Sequence, residues 1–154
     1  MPDIAAYHRH VYVGILIQGK QVALPDGIGM MNPGALGSTG FVNSATCFYY
    51  IHTHDRSGYV HVEPSGVVSY TLGDFFKVWG QTLSATQVAG FTGNVRVFKA
   101  QAPNNSNPTT TGWTEVKTDP HALALTSHMA YMIEVGPTWV EAASLPPVVF
   151  YTEF

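Results

Sequence analysis

Residues 46–63 read TCFYYIHTHDRSGYVHVE, and the way this stretch folds back on itself decides the rest of the reading. Asp55-Arg56-Ser57-Gly58 are turn-forming residues: the aspartate can cap the loop backbone and the glycine tolerates a left-handed conformation. β-branched and aromatic residues flank it, which predicts a hairpin with arms 46–54 and 59–63. A four-residue loop pairs His54 with Tyr59, Thr53 with Val60, His52 with His61 and Ile51 with Val62. Ile51, Val60 and Val62 then share a core face, with Tyr49 and Thr53 on the same parity. His52, His54, His61 and Glu63 emerge on the opposite face, because strand side chains alternate. A loop one residue longer or shorter would send His61 to the wrong side. The register chosen by the apolar residues is therefore the one that gathers the histidines.

That gathering has a chemical meaning. Directly paired residues on neighbouring strands hold their Cβ atoms about 4.5–5.5 Å apart. Imidazoles at such a spacing can share one ion at metal–nitrogen distances of about 2.0–2.1 Å. The first strand repeats the pattern: with Val11, Val13, Ile15 and Ile17 toward the core, His8 and His10 fall on the other face with Tyr12. His128 precedes Met129, Tyr131, Ile133 and Val135 and takes the outer parity too. The candidate ligands are thus His52, His54 and His61 first, then His10, His8 and His128. Glu63 is a candidate ligand, imidazole partner or general base. The bland alternative is a histidine-rich polar face without metal. His121, beside Pro120, reads as a surface residue, and Asp55 as a turn cap. Cys47 shares the core-side parity, which predicts a small buried residue remote from His52 and argues against a His-His-Cys copper centre. Imidazole donors suit copper or zinc, and no DxDxDG-type loop points to calcium.

The remaining chain supports a mainly β (α+β) fold: one domain over residues 1–154, an antiparallel sandwich or roll with one packed helix. Gln18-Gly19-Lys20 reads as a turn into 21–24, residues 25–44 as a long loop, and 67–70 as a continuation of the sheet. Thr71 can cap a helix with Asp74 three residues on. Leu72, Phe75, Phe76 and Trp79 lie on one face and Gly80 stops it. Residues 83–88 suggest a short helical turn; 94–99, 113–117, 129–135 and 148–154 read as strands, and 102–112 as a polar loop. The Asn104-Asn105-Ser106 triplet reads as ordinary loop sequence.

Charged residues make up only 11% of the 154 residues and the net charge is −3, so no basic surface invites nucleic acid or an anionic membrane. The apolar stretch 11–17 is too short to span a bilayer, so membrane insertion is not expected. Cys47 is the only cysteine, which rules out an internal disulfide and any CxxC motif. No signal peptide is visible at Met1-Pro2-Asp3. Ser57-Gly58 lacks a G-x-S-x-G context, and Gly27-Ile28-Gly29 lacks the further glycine and helix of a phosphate loop.

With these motifs the chain resembles a family of largely uncharacterised, usually secreted bacterial and archaeal proteins. Their pattern runs H-x-H, a strand and G-K-x-V-x-x-P-x-x-I-G. It continues with C-x-Y-x-x-H-T-H-D-x-S-G-x-I-H-I-E and then T-L-G-x-F-F-x-x-W-G. The matching blocks here are residues 8–30, with Gly19-Lys20-Gln21-Val22 and Pro25-Asp26-Gly27-Ile28-Gly29, then 47–63 and 71–80. A later family histidine corresponds to His128. Departures are Tyr59-Val60-His61-Val62 and a longer 102–112 loop. The resemblance implies the histidine cluster and an extracellular or periplasmic location, and no particular reaction.

Three functions compete at this stage. A metal-binding module for copper or zinc needs only the cluster. A metalloenzyme needs an open position on a His-ligated ion, with Glu63 or a spare histidine as base. A self-assembling filament subunit, a homo-oligomer by strand addition, would use the segment after Pro146-Pro147.

Overall fold

The computed structural model describes residues 7–151. In chain order the strands are β1 (Arg9–Ile17), β2 (Lys20–Val22), β3 (Met30–Met31), β4 (Cys47–Phe48), β5 (Ile51–His52) and β6 (Tyr59–Val62). The helix α1 (Leu72–Trp79) follows, then β7 (Gln87–Val88), β8 (Phe91–Thr92), β9 (Val95–Gln101), β10 (Thr114–Glu115) and β11 (Met129–Val135). The main sheet has the order β10-β9-β11-β1-β6-β5, with β2 also paired to β1. The architecture is mainly β with one packed helix, as the sequence pattern predicts. Its sheet is mixed: β1 and β11 run parallel at the centre, while the other pairs are antiparallel.

Strand β1 is covered on both faces. Val11, Val13 and Ile15 join Ile51, Val60, Val62, Tyr131 and Ile133 beneath Leu72, Phe75 and Phe76 of the helix. Tyr12 and Leu16 face the other way and pack with Phe98, Met132, Val148 and Phe150. Each such side chain removed from water contributes roughly 1.5–3 kcal/mol, so these two clusters are the main stabilising contacts on either face of the sheet's middle. The helix begins where the sequence requires. The Thr71 side chain accepts from the Asp74 N–H, Asp74 accepts from the Thr71 N–H, and Gly80 closes the last turn at φ 75°.

Several segments differ from the sequence expectation. The predicted arm 46–54 is broken at Tyr49 and Tyr50: β4 pairs with β3, and only β5 joins the main sheet. Residues 67–70 form no strand, and Val67 stands 90% exposed. Leu83 bridges Val88 instead of starting a helical turn, and β7 and β8 form a small hairpin there. Val148 and Phe150 are buried, and Val149 bridges Thr109, so this stretch closes the chain's own core; residues 152–154 of the predicted final strand lie outside the described residues.

Candidate metal centre

Strand β6 lies between β1 and β5, and the pairing sets three histidines in a row across the strands. His61 is opposite His10 on one side and opposite His52 on the other. This is the register that the apolar residues dictate, since the same ladder sets Ile51 against Val62 and Val11 against Val60. The histidines occupy the face turned away from α1. There, loop 32–46 and the segment around Phe150 flank them through ring contacts from Phe41 to His54 and from Phe150 to His128.

His52 and His54 are oriented by the main chain. The Nδ1 of His52 is 2.8 Å from the Tyr49 carbonyl oxygen, and the Nδ1 of His54 is 2.7 Å from that of Val42. A carbonyl oxygen only accepts, so each Nδ1 carries the proton and donates it. In a neutral ring the Nε2 then presents a lone pair. Yet the two Nε2 atoms face each other at 3.2 Å. Two lone pairs at that distance repel unless a proton or a cation sits between them. His52 is 2% exposed, and burial drives its pKa down to about 4, which disfavours the proton.

A second convergence lies beside the first. The Nε2 of His8 is 3.0 Å from His61 Nδ1 and 3.0 Å from Glu63 Oε1. Glu63 Oε1 is also 3.5 Å from His61 Nδ1 and 3.9 Å from His52 Nε2. Hydrogen bonding from His61 is the main reason that the Glu63 carboxyl is held at a pKa of about 2, so it is an anion among imidazoles. His10 stands edge-on to both His8 and His61, at ring separations of 4.5 and 4.6 Å. Burial lowers the pKa of His10 to about 3 and that of His8 in the same direction. Donors held about 2.0–2.1 Å from a tetrahedral ion lie about 3.4 Å from one another, and the separations here cluster around that figure. In two triads, His52–His54–His61 and His8–His10–His61, the ligand atoms lie within 4.8 Å of one another. Either triad has the donor set and spacing that could hold a metal ion.

The walls are aromatic on one side and open on the other. Phe41 stacks on His54 at 5.8 Å, and Phe48 meets His52 edge-on at 5.3 Å. A pocket of ≈ 500 Å³ opens over the cluster, lined by His8, His54, His61 and Glu63 together with Thr39, Phe41 and Asn43.

Five of the six candidate histidines and Glu63 therefore meet. The sixth, His128, lies outside both triads: its ring stacks on Phe150 at 4.8 Å, and its backbone N–H bonds the His10 carbonyl. His121 is exposed and paired with Asp119, and Asp55 caps Ser57, as their local sequence suggests. Cys47 corrects its expectation. It is exposed on β4, because the break at Tyr49 and Tyr50 ends the alternation that assigned it to the core.

Sequence reasoning missed the loop that aligns β5. The Thr53 N–H bonds the Ile28 carbonyl, the Gly27 N–H bonds that of Thr53, and the Tyr49 N–H bonds that of Gly29. Gly29, at φ 72°, packs so closely on Ile51 and His52 that a Cβ there would overlap the Ile51 carbonyl oxygen. The available signal was the Pro25-Asp26-Gly27-Ile28-Gly29 run, whose glycines mark positive φ and close approach.

No family model, curated protein or solved structure matches this chain. The centre must be read from its own geometry.

Proposed function

We propose that the protein is a transition-metal-binding module, taking copper or zinc at His52, His54 and His61 with Glu63 completing the donor set. The observation that carries this reading is the opposed pair of Nε2 atoms at 3.2 Å, each turned by a backbone carbonyl bonded to its Nδ1. Such outer bonds fix the tautomer that a metal ligand needs and raise its basicity. Neutral imidazoles with one carboxylate suit zinc and copper(II) equally well by donor type. The family resemblance supports a further part of the proposal, handling of the ion outside the cytoplasm. Fractionation of the native host tests that part, and a wholly cytoplasmic protein would remove it.

A second reading, metalloenzyme, is favoured by the pocket at His8, His54, His61 and Glu63, which leaves room for water or a small substrate at the ion. Glu63 Oε1 would then be the nearest base. For filament assembly no comparable observation exists, since Val148 and Phe150 fill this chain's own core.

The deciding experiment is elemental analysis and zinc or copper titration of full-length protein prepared without a histidine tag. Binding near 1:1 or above with strong loss in His52→Ala supports the proposal. Metal content unchanged in that variant would overturn the assignment.

A further inference from the structure

We propose that the centre takes two ions, the second held by His8 and His10 with His61 shared between both positions. This rests on the metal-binding reading above and extends it. The sheet itself argues for two positions. Strands β1 and β5 both run antiparallel to β6, hence parallel to each other, and His61 sits directly between His10 and His52. His8 precedes His10, whereas His54 follows His52. The two triads therefore start from opposite sides of the His10–His61–His52 row along the strands, each with its ligand atoms within 4.8 Å, and His8, His54 and His61 open on one pocket.

Donor count agrees. His52, His54 and His61 already supply the three protein donors of a typical zinc site, with the fourth position left to water or to Glu63. His8 and His10 are then surplus, yet they remain gathered at the same face. His8 Nε2 approaches His61 Nδ1 and Glu63 Oε1 at 3.0 Å each, an edge length suited to ligands of one ion. An imidazole has two ring nitrogens, so His61 can give one to each ion, its ring proton leaving to solvent when the second ion loads. Glu63, within 3.9 Å of donors from both sets, supplies the negative charge that two adjacent cations require. The ligand class is a pair of divalent transition-metal ions.

The test is the stoichiometry of zinc and cobalt(II) binding to metal-stripped, tag-free full-length protein, by calorimetry and by elemental analysis after dialysis. Circular dichroism verifies the fold of each variant. Two equivalents are expected for the native chain. One is expected for His10→Ala and for His8→Ala, which lose the second position, and one for His54→Ala, which loses the first. Copper(II) loading should give a spin-coupled pair in the native chain and an uncoupled signal in His10→Ala. A single equivalent in the native chain, abolished by His54→Ala, would overturn the second ion and leave the first intact. Two equivalents persisting in both His8→Ala and His10→Ala would overturn it as well. No binding by the native chain at all would remove both proposals together.

Discussion

Replacing Gly29 by alanine tests whether the loop that aligns β5 also controls the metal ligands. The added Cβ would overlap the Ile51 carbonyl oxygen and lie 3.1 Å from His52 Cα and Cβ, all backbone or near-backbone atoms that cannot rotate away. Gly29 also sits at φ 72°, where an L-residue costs about 1–2 kcal/mol. Overpacking of this kind adds typically about 1–3 kcal/mol. Taken together the penalty is roughly 2–5 kcal/mol, and at about 2–4 °C per kcal/mol the melting temperature should fall by roughly 4–20 °C. Because the strain falls on the residues bearing the His52 ring, zinc affinity should weaken on the order of tenfold. Gly40→Ala is the control: its φ is 80° but nothing lies within 4 Å of the new Cβ. That variant should lose only about 1–2 kcal/mol and keep its affinity. Thermal melts followed by differential scanning calorimetry, with competition titration of zinc, read both quantities. If Gly29→Ala melts within about 2 °C of the native chain and binds zinc normally, the loop does not buttress the site and the reasoning is refuted.

Inserting one glycine after Ser57 should shift the register of β6 and send His61 toward the core, abolishing binding by the His52–His54–His61 triad; retention of native affinity would count against the hairpin argument. His128→Ala should leave metal affinity unchanged while lowering the melting temperature by a few degrees through loss of its stacking on Phe150, as a thermal shift with zinc titration would report. Acid should destabilise the metal-free protein early. His10 and His52 have native pKa values of about 3 and about 4 against an ordinary 6.5, so the unfolded chain takes up protons first as pH drops. Stability present above pH 6.5 is therefore lost progressively below it. Glu63, held at about 2 against 4.5, adds a loss only below pH 4.5. Melting temperatures at pH 7.5, 6 and 5 check this, and a flat profile would contradict it.

The parts legible in the sequence are those set by short-range periodicity and capping. Ile51, Val60 and Val62 specify one register for the hairpin, and the ladder obeys it. Thr71, Asp74 and Gly80 delimit the helix. The neighbourhood of β1 and β6 was not legible, because nothing local in residues 9–17 names a partner some fifty positions away. The parallel pairing of β1 with β11 was hidden for the same reason: alternation reports which face a residue takes, not the direction of the adjacent strand. Cys47 went astray because two-residue parity was carried through Tyr49 and Tyr50, where the strand bends and the count restarts. The carbonyl groups of Val42 and Tyr49 left no trace in the sequence at all, since every residue owns one.

That anonymity has an evolutionary consequence. The two rings take their aim from peptide oxygens, so the exposed Tyr49 can exchange its side chain without disturbing how His52 points, and the buried Val42 can give way to another apolar residue of similar size without turning His54, provided the local chain path is kept. Descendants of this protein could thus remodel the rim around the histidine cluster, altering what approaches it, while the imidazole geometry passes unchanged from one generation to the next.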